Sequence, residues 1–254
     1  MKERFKDRVV WIVGAGEPIG QALAAAFAAE GARLVLSGVE KAPEGLTAPC
    51  YPMPIDDEIA RRTVRENEDI DTYVFVQPDS PDMDIEHCPV EFWDEQLALG
   101  LGANFCACRA VMRVMGPRGK GTFLSVVSYH DEKPNGCKLM LSVCASGSNM
   151  LMREAAQDYG RLEGLFRCNV LEVGPMVGDE QQSEDLVKYL LGEYEGNTER
   201  LWESNIFGKS VFELVNEGLT TKLRRMPDEA RYKLKDALTK IINEGANGLI
   251  CLLL

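Results

Sequence analysis

Between Val13 and Gln21 the chain reads Gly14-Ala15-Gly16-Glu17-Pro18-Ile19-Gly20, and no other stretch limits its possible folds as much. The run before it, Val9-Val10-Trp11-Ile12-Val13, has the length and apolar content of a buried β-strand. The run after it, Gln21 to Glu30, is rich in alanine and predicts a helix, which Gly31 ends. Arg33-Leu34-Val35-Leu36 then opens a second strand. Strand, glycine turn, helix and strand in this order form a βαβ unit, and its helix N-terminus is shaped to receive a pyrophosphate. Two residues oppose that task. Pro18 has no N–H and carries a ring where a glycine would leave space. Glu17 puts a negative charge where an anion would dock.

The alternation continues. Asp57 to Glu66 predicts a charged helix, and Thr72-Tyr73-Val74-Phe75-Val76 a buried strand. Gln77 to Pro89, with its prolines and acidic residues, predicts a loop, and Glu91 to Met115 a long helix. Thr122 to Val127 predicts a strand, Asp131 to Cys137 a loop, Leu139 to Tyr159 a second long helix, and Cys168 to Val173 a strand closed by Gly174-Pro175. Gly178 to Met226 carries mainly helical signal, Pro227-Asp228-Glu229 starts another helix, and Leu249 to Leu254 ends the chain as an apolar strand. The expectation is one α/β domain over 1–254, a Rossmann-type doubly wound parallel sheet in three α-β-α layers, with 178–226 as a helical lid-like insertion.

A net charge of −12 argues against nucleic acid and anionic membrane surfaces as partners, since both call for basic patches. The charged opening Met1-Lys2-Glu3-Arg4-Phe5 and the lack of a long apolar run predict a cytoplasmic protein. The eight cysteines, Cys50, Cys88, Cys106, Cys108, Cys137, Cys144, Cys168 and Cys251, form no CxxC pair and read as reduced, mostly buried residues. With two histidines, His87 and His130, no metal site is expected.

The ordered set of landmarks resembles the short-chain dehydrogenase/reductase family. It comprises the loop Gly14 to Gly20, the strand Gly121 to Ser128, the segment Arg167-Cys168-Asn169-Val170 through Gly174-Pro175, Pro227-Asp228-Glu229, and Asn247-Gly248. The resemblance implies hydride transfer between a nicotinamide and a carbonyl or alcohol. In the family a serine orients the substrate oxygen and a tyrosine thirteen residues later moves the proton. A lysine four further on lowers the tyrosine's pKa and holds the nicotinamide ribose. Here the serine position is Ser128, but the tyrosine position is Leu141 and the lysine position Ala145. The carboxylate that holds the adenosine ribose would fall at Gly38, the Asn-Asn-Ala-Gly segment reads Phe75-Val76-Gln77-Pro78, and the asparagine that holds a relay water is Gly100.

These departures predict a pseudoenzyme: no catalytic residue of its own, a vestigial Ser128, and a vestigial loop at Gly14, Gly16 and Gly20 that binds no cofactor. Together, the loop, Leu141 and Ala145 resemble the inactive subunits of two-component family members that act on a hydroxyacyl-CoA in anaerobic toluene (benzylsuccinate) degradation. The resemblance then implies an active short-chain dehydrogenase partner carrying NAD. The two chains would join as a heterotetramer through helices 91–115 and 139–159, whose apolar residues include Leu97, Phe105, Met112, Met140 and Met150. Tyr129-His130-Asp131-Glu132-Lys133 also spells Tyr-x-x-x-Lys, directly after Ser128. An alternative reading is therefore a divergent NAD(P)-dependent oxidoreductase using Ser128 and Tyr129. Another is a ligand sensor using an empty nucleotide cleft.

Overall fold

The computed structural model describes residues 5–128, 138–160, 165–173 and 250–253. The chain opens with β1 (Val9–Val13), α1 (Pro18–Ala29) and β2 (Arg33–Ser37), the βαβ unit expected around the glycine loop. After these come β3 (Cys50–Tyr51), α2 (Asp57–Glu66), β4 (Thr72–Val76) and α3 (Val90–Leu97). A π-helical turn at Ala98–Gly102 leads into α4 (Ala103–Met115), followed by β5 (Lys120–Ser128), α5 (Leu139–Gly160), β6 (Leu165–Val173) and β7 (Ile250–Leu253). The strands form a seven-stranded sheet in the order β3-β2-β1-β4-β5-β6-β7, with every neighbouring pair parallel. The strand order reverses between β1 and β4. In an open parallel sheet that reversal leaves a crevice beyond the C-terminal strand ends, where ligands bind.

β1 and β4 are buried over all five residues each, as their unbroken apolar runs require in a sheet covered on both faces. Trp11, Tyr73 and Phe123 lie side by side across β1, β4 and β5, with ring centroids 5.9 and 6.1 Å apart in edge-to-face pairs. Their polar atoms are matched. Trp11 Nε1 donates to Ser37 Oγ at 3.0 Å, and the Tyr73 hydroxyl donates to Asn104 Oδ1 at 2.9 Å. Asn104 Nδ2 in turn donates to Ser125 Oγ at 3.2 Å. Asn104 is fully buried and so pins α4 to two strands of the sheet at once. At the opposite end of the strands, Arg8 Nε meets Asp71 Oδ1 at 3.1 Å and its guanidinium reaches Thr72 Oγ1 at 2.7 Å.

Local chemistry explains the element ends. Pro18 occupies the first turn of α1, where its missing N–H costs no helix bond. Asp56 caps α2 by accepting from Ile59 N at 2.7 Å. The long helix expected over Glu91 to Met115 is a continuous helical run in which the π turn joins α3 to α4, and α5 presses close against that turn. A Cβ on Gly100 would lie 2.6 Å from Cys144 Sγ and 2.8 Å from its Cβ. A Cβ on Gly147 would lie 2.7 Å from a Leu101 methyl. β3 escaped the sequence reading because two residues are too few to show a period. By length and composition alone the stretch Val90–Arg118 could cross a membrane. Within it, Ala103, Ala107, Ala110, Val111 and Met115 bury one face of α4. The loop expected at Asp131 to Cys137 and the insertion expected at 178–226 lie outside the described residues.

Candidate functional site

The glycine loop sits at the head of the crevice between β1 and β4. Gly14 adopts φ +84°, and a Cβ there would strike the Val76 carbonyl oxygen at the end of β4. A Cβ on Gly20 would strike the Gly14 carbonyl, and one on Gly16 would lie 2.6 Å from the Gly38 carbonyl oxygen at the end of β2. These glycines hold the turn against both neighbouring strand ends. The backbone N–H groups of Gly14 and Ala15 both donate to Ser37 O, at 3.0 and 2.8 Å, and Glu17 N donates to Gly14 O at 3.2 Å. Ile19 and Gly20 follow Pro18 in the first turn of α1, where N–H groups have no intrahelical acceptor and point out of the helix end. They are the donors that the loop offers to an anion.

Glu17 is the N-cap residue of α1, yet its side chain does not cap the helix. Its Oε2 accepts instead from the backbone N–H of Asp79, at 3.4 Å, three residues beyond the end of β4. The side chain therefore bridges the two sides of the crevice. Burial raises its carboxyl pKa, the Asp79 N–H acts in the opposite direction, and the Asp79 charge adds to the rise. Asp79 and its neighbour Ser80 were read in the sequence only as part of a loop. Their position just after the strand at the reversal point is the signal that could have singled them out.

Ser128 closes β5, in register with Val173 of β6. Leu141 and Ala145, at the tyrosine and lysine positions, lie on the first turns of α5 and are 9% and 3% exposed. Gln77 joins α5 to the crevice: its Nε2 donates to Leu141 O at 2.9 Å, and its backbone N–H donates to Val126 O. Gly100, at the relay-water position, is filled over by Cys144. Between the loop after β4, the π turn and α5 lies a cavity of about 10 Å³ lined by Gln77, Ser80, Gln96, Gly100 and Cys144, among others. That is room for about one water, and the buried Ser80 hydroxyl has no hydrogen-bond partner. Tyr129 and Lys133 lie outside the described residues, as do Pro227 to Glu229 and Asn247-Gly248. Among the described residues no group of three His, Cys, Asp or Glu side chains is placed to hold a metal ion.

The solved structure of levodione reductase superposes with a TM-score of 0.63, at 19% identity over 98% of this chain and 96% of that one. The fold is that of the short-chain dehydrogenases/reductases. The NADPH-dependent 3-quinuclidinone reductase from Rhodotorula rubra has the same fold, with a TM-score of 0.61 at 20% identity over 99% of this chain and 91% of that one. In sequence, levodione reductase from Leifsonia aquatica is 26% identical over 206 residues, which span 72% of this chain and 76% of that enzyme. A separate likeness covers the C-terminal third. Residues 179–254 match the family described as sporulation stage IV protein A, C-terminal. Stage IV sporulation protein A of Bacillus subtilis (strain 168) is 49% identical over 83 residues, or 33% of this chain. The chain covers only 17% of that protein's length.

These likenesses correct the expectation of a chain with no activity of its own. The sequence relative that spans 72% of the chain is a reductase, which points away from a chain without activity. The expectation leaned on Leu141 and Ala145, that is, on the loss of one tyrosine and one lysine at fixed spacing. It discounted Tyr129, which follows Ser128 directly. The expectation of no cofactor in this chain finds no support in these likenesses either. Nothing in the likenesses concerns toluene degradation or a hydroxyacyl-CoA. The landmarks Pro227-Asp228-Glu229 and Asn247-Gly248 fall inside the sporulation match.

Proposed function

We propose that this chain is a divergent NAD(P)-dependent oxidoreductase acting on a carbonyl or alcohol, with Ser128 and Tyr129 as its polar chemistry. The observation that carries this reading is the likeness to levodione reductase over 72% of the chain, together with a glycine loop at the sheet's reversal point. The residues present fit a nicotinamide dinucleotide in part. The Ile19 and Gly20 N–H groups, in the first turn of α1, suit a pyrophosphate. Gly38 brings no carboxylate to a ribose, which leaves the choice between NAD and NADP open to either. When bound, the cofactor supplies or accepts the hydride. Ser128, at the C-terminal end of β5, orients the substrate oxygen, and the Tyr129 hydroxyl gives or takes the proton at that oxygen. Leu141 and Ala145 shape an apolar wall and take no part in proton transfer.

The test is oxidation of NADH and NADPH by the full-length chain with a panel of ketones that includes levodione. Turnover that falls in Ser128→Ala and Tyr129→Phe supports the reading. Turnover unchanged in both variants removes these residues from the mechanism.

Pairing with an active short-chain dehydrogenase subunit through the helices at 91–115 and 139–159 is part of this proposal. Phe105 on α4 and Met150 on α5 are exposed apolar side chains that a second subunit would cover. The C-terminal likeness favours a second reading, in which the chain serves sporulation, as the name of those relatives states for them. Deleting the gene in the native host and counting heat-resistant spores tests that reading.

A further inference from the structure

Glu17 is the N-cap residue of α1, in the glycine loop. It follows Gly16 and precedes the first-turn N–H groups of Ile19 and Gly20, and its carboxylate crosses to the Asp79 N–H on the far side of the crevice. We propose that Glu17 sets the pH dependence of dinucleotide binding: its ionised carboxylate bars the pyrophosphate, and its neutral form admits it. This inference rests on the oxidoreductase reading and adds to it a residue that tunes cofactor affinity.

Three observations support it. The side chain forgoes the cap of its own helix, so it is committed to the crevice and not to α1. Second, among the described residues no cation pairs with it. β1 and α1 carry no ionisable side chain, β2 ends in Ser37-Gly38, and the segment after β4 presents Asp79, a second carboxylate. Third, burial raises its carboxyl pKa and the Asp79 charge adds to the rise, against the Asp79 N–H, which lowers it.

NADH is the suitable probe, because the extra phosphate of NADPH itself titrates at pH ~6. Its dissociation constant is measured by calorimetry across pH for the full-length chain and for Glu17→Gln and Asp79→Asn. The amide introduced by Glu17→Gln would keep an acceptor oxygen for Asp79 N–H, and circular dichroism checks that each variant is folded. In the parent, the dissociation constant is expected to rise by up to about tenfold per pH unit above the Glu17 pKa. In Glu17→Gln it stays flat and is about tenfold lower at alkaline pH. In Asp79→Asn the rise begins at lower pH, because the charge that favours protonated Glu17 is gone. If the parent and Glu17→Gln bind NADH equally at every pH, the inference is wrong and the oxidoreductase reading survives. If neither binds NADH or NADPH at any pH, the oxidoreductase reading falls and takes the inference with it.

Discussion

Gly14, Gly16 and Gly20 answer to sterics before they answer to any ligand. Gly14 is left-handed and abuts Val76, so Gly14→Ala meets both backbone strain and a clash. A loss of about 1–3 kcal/mol in denaturant unfolding is expected, with or without nucleotide present. Glu17 makes the opposite kind of prediction. Its folded-state pKa is raised, so the folded protein keeps a proton that the unfolded chain has already released. Its contribution to stability is complete below the unfolded carboxylate range and is lost as pH rises through the folded value. Glu17→Gln should therefore melt at a higher temperature than the parent at about pH 8, and with it at about pH 4. A constant difference across pH would place the effect elsewhere. At the chemical step, Tyr129→Phe should lower kcat by about 10²-fold or more if the hydroxyl is the general acid.

At the scale of elements, the contact between α5 and the π turn does most to shape the crevice. Gly100 and Cys144 share one space, and Cys144 Sγ also reaches Gln96 O at 3.6 Å. Gly100→Asn should destabilise the fold by about 1–3 kcal/mol. Adding Cys144→Ala should recover part of that loss, because the two sites compete for the same volume. Equal and additive losses in a double-mutant cycle would show that the contact is not the cause. Small residues at Cys144 to Ser148 let a helix be approached closely. The structure places that approach within the chain, where α5 meets the π turn.

The strands were legible because fully buried runs such as Thr72-Tyr73-Val74-Phe75-Val76 leave few other options, and Asp57–Glu66 was legible because Asp56 caps it. The π turn and β3 were not legible. One is five residues inside a continuous helical run, and the other is too short to carry a pattern. The glycine loop could be read at sight, but not the hydrogen bond from Asp79 to Glu17, which joins residues 62 apart.

For the whole molecule, two likenesses meet in one chain: a reductase fold around the glycine loop and a sporulation-protein match over residues 179–254. The sequence reading extended the first to the C-terminus because an apolar final strand fits a parallel sheet, and β7 does pair with β6. The likeness to levodione reductase and the position of the loop at the strand-order reversal together argue for chemistry on a nicotinamide cofactor. If a second subunit covers α4 and α5, Phe105→Glu with Met150→Glu should reduce the mass measured by light scattering and leave the circular dichroism spectrum unchanged. The most direct measurement is the absorbance of reduced nicotinamide as the purified full-length chain meets NADH or NADPH and a panel of ketones. Oxidation of one nucleotide, abolished or strongly slowed in Tyr129→Phe, is the predicted result. Failure to oxidise either nucleotide at any pH, with the protein folded, would contradict it.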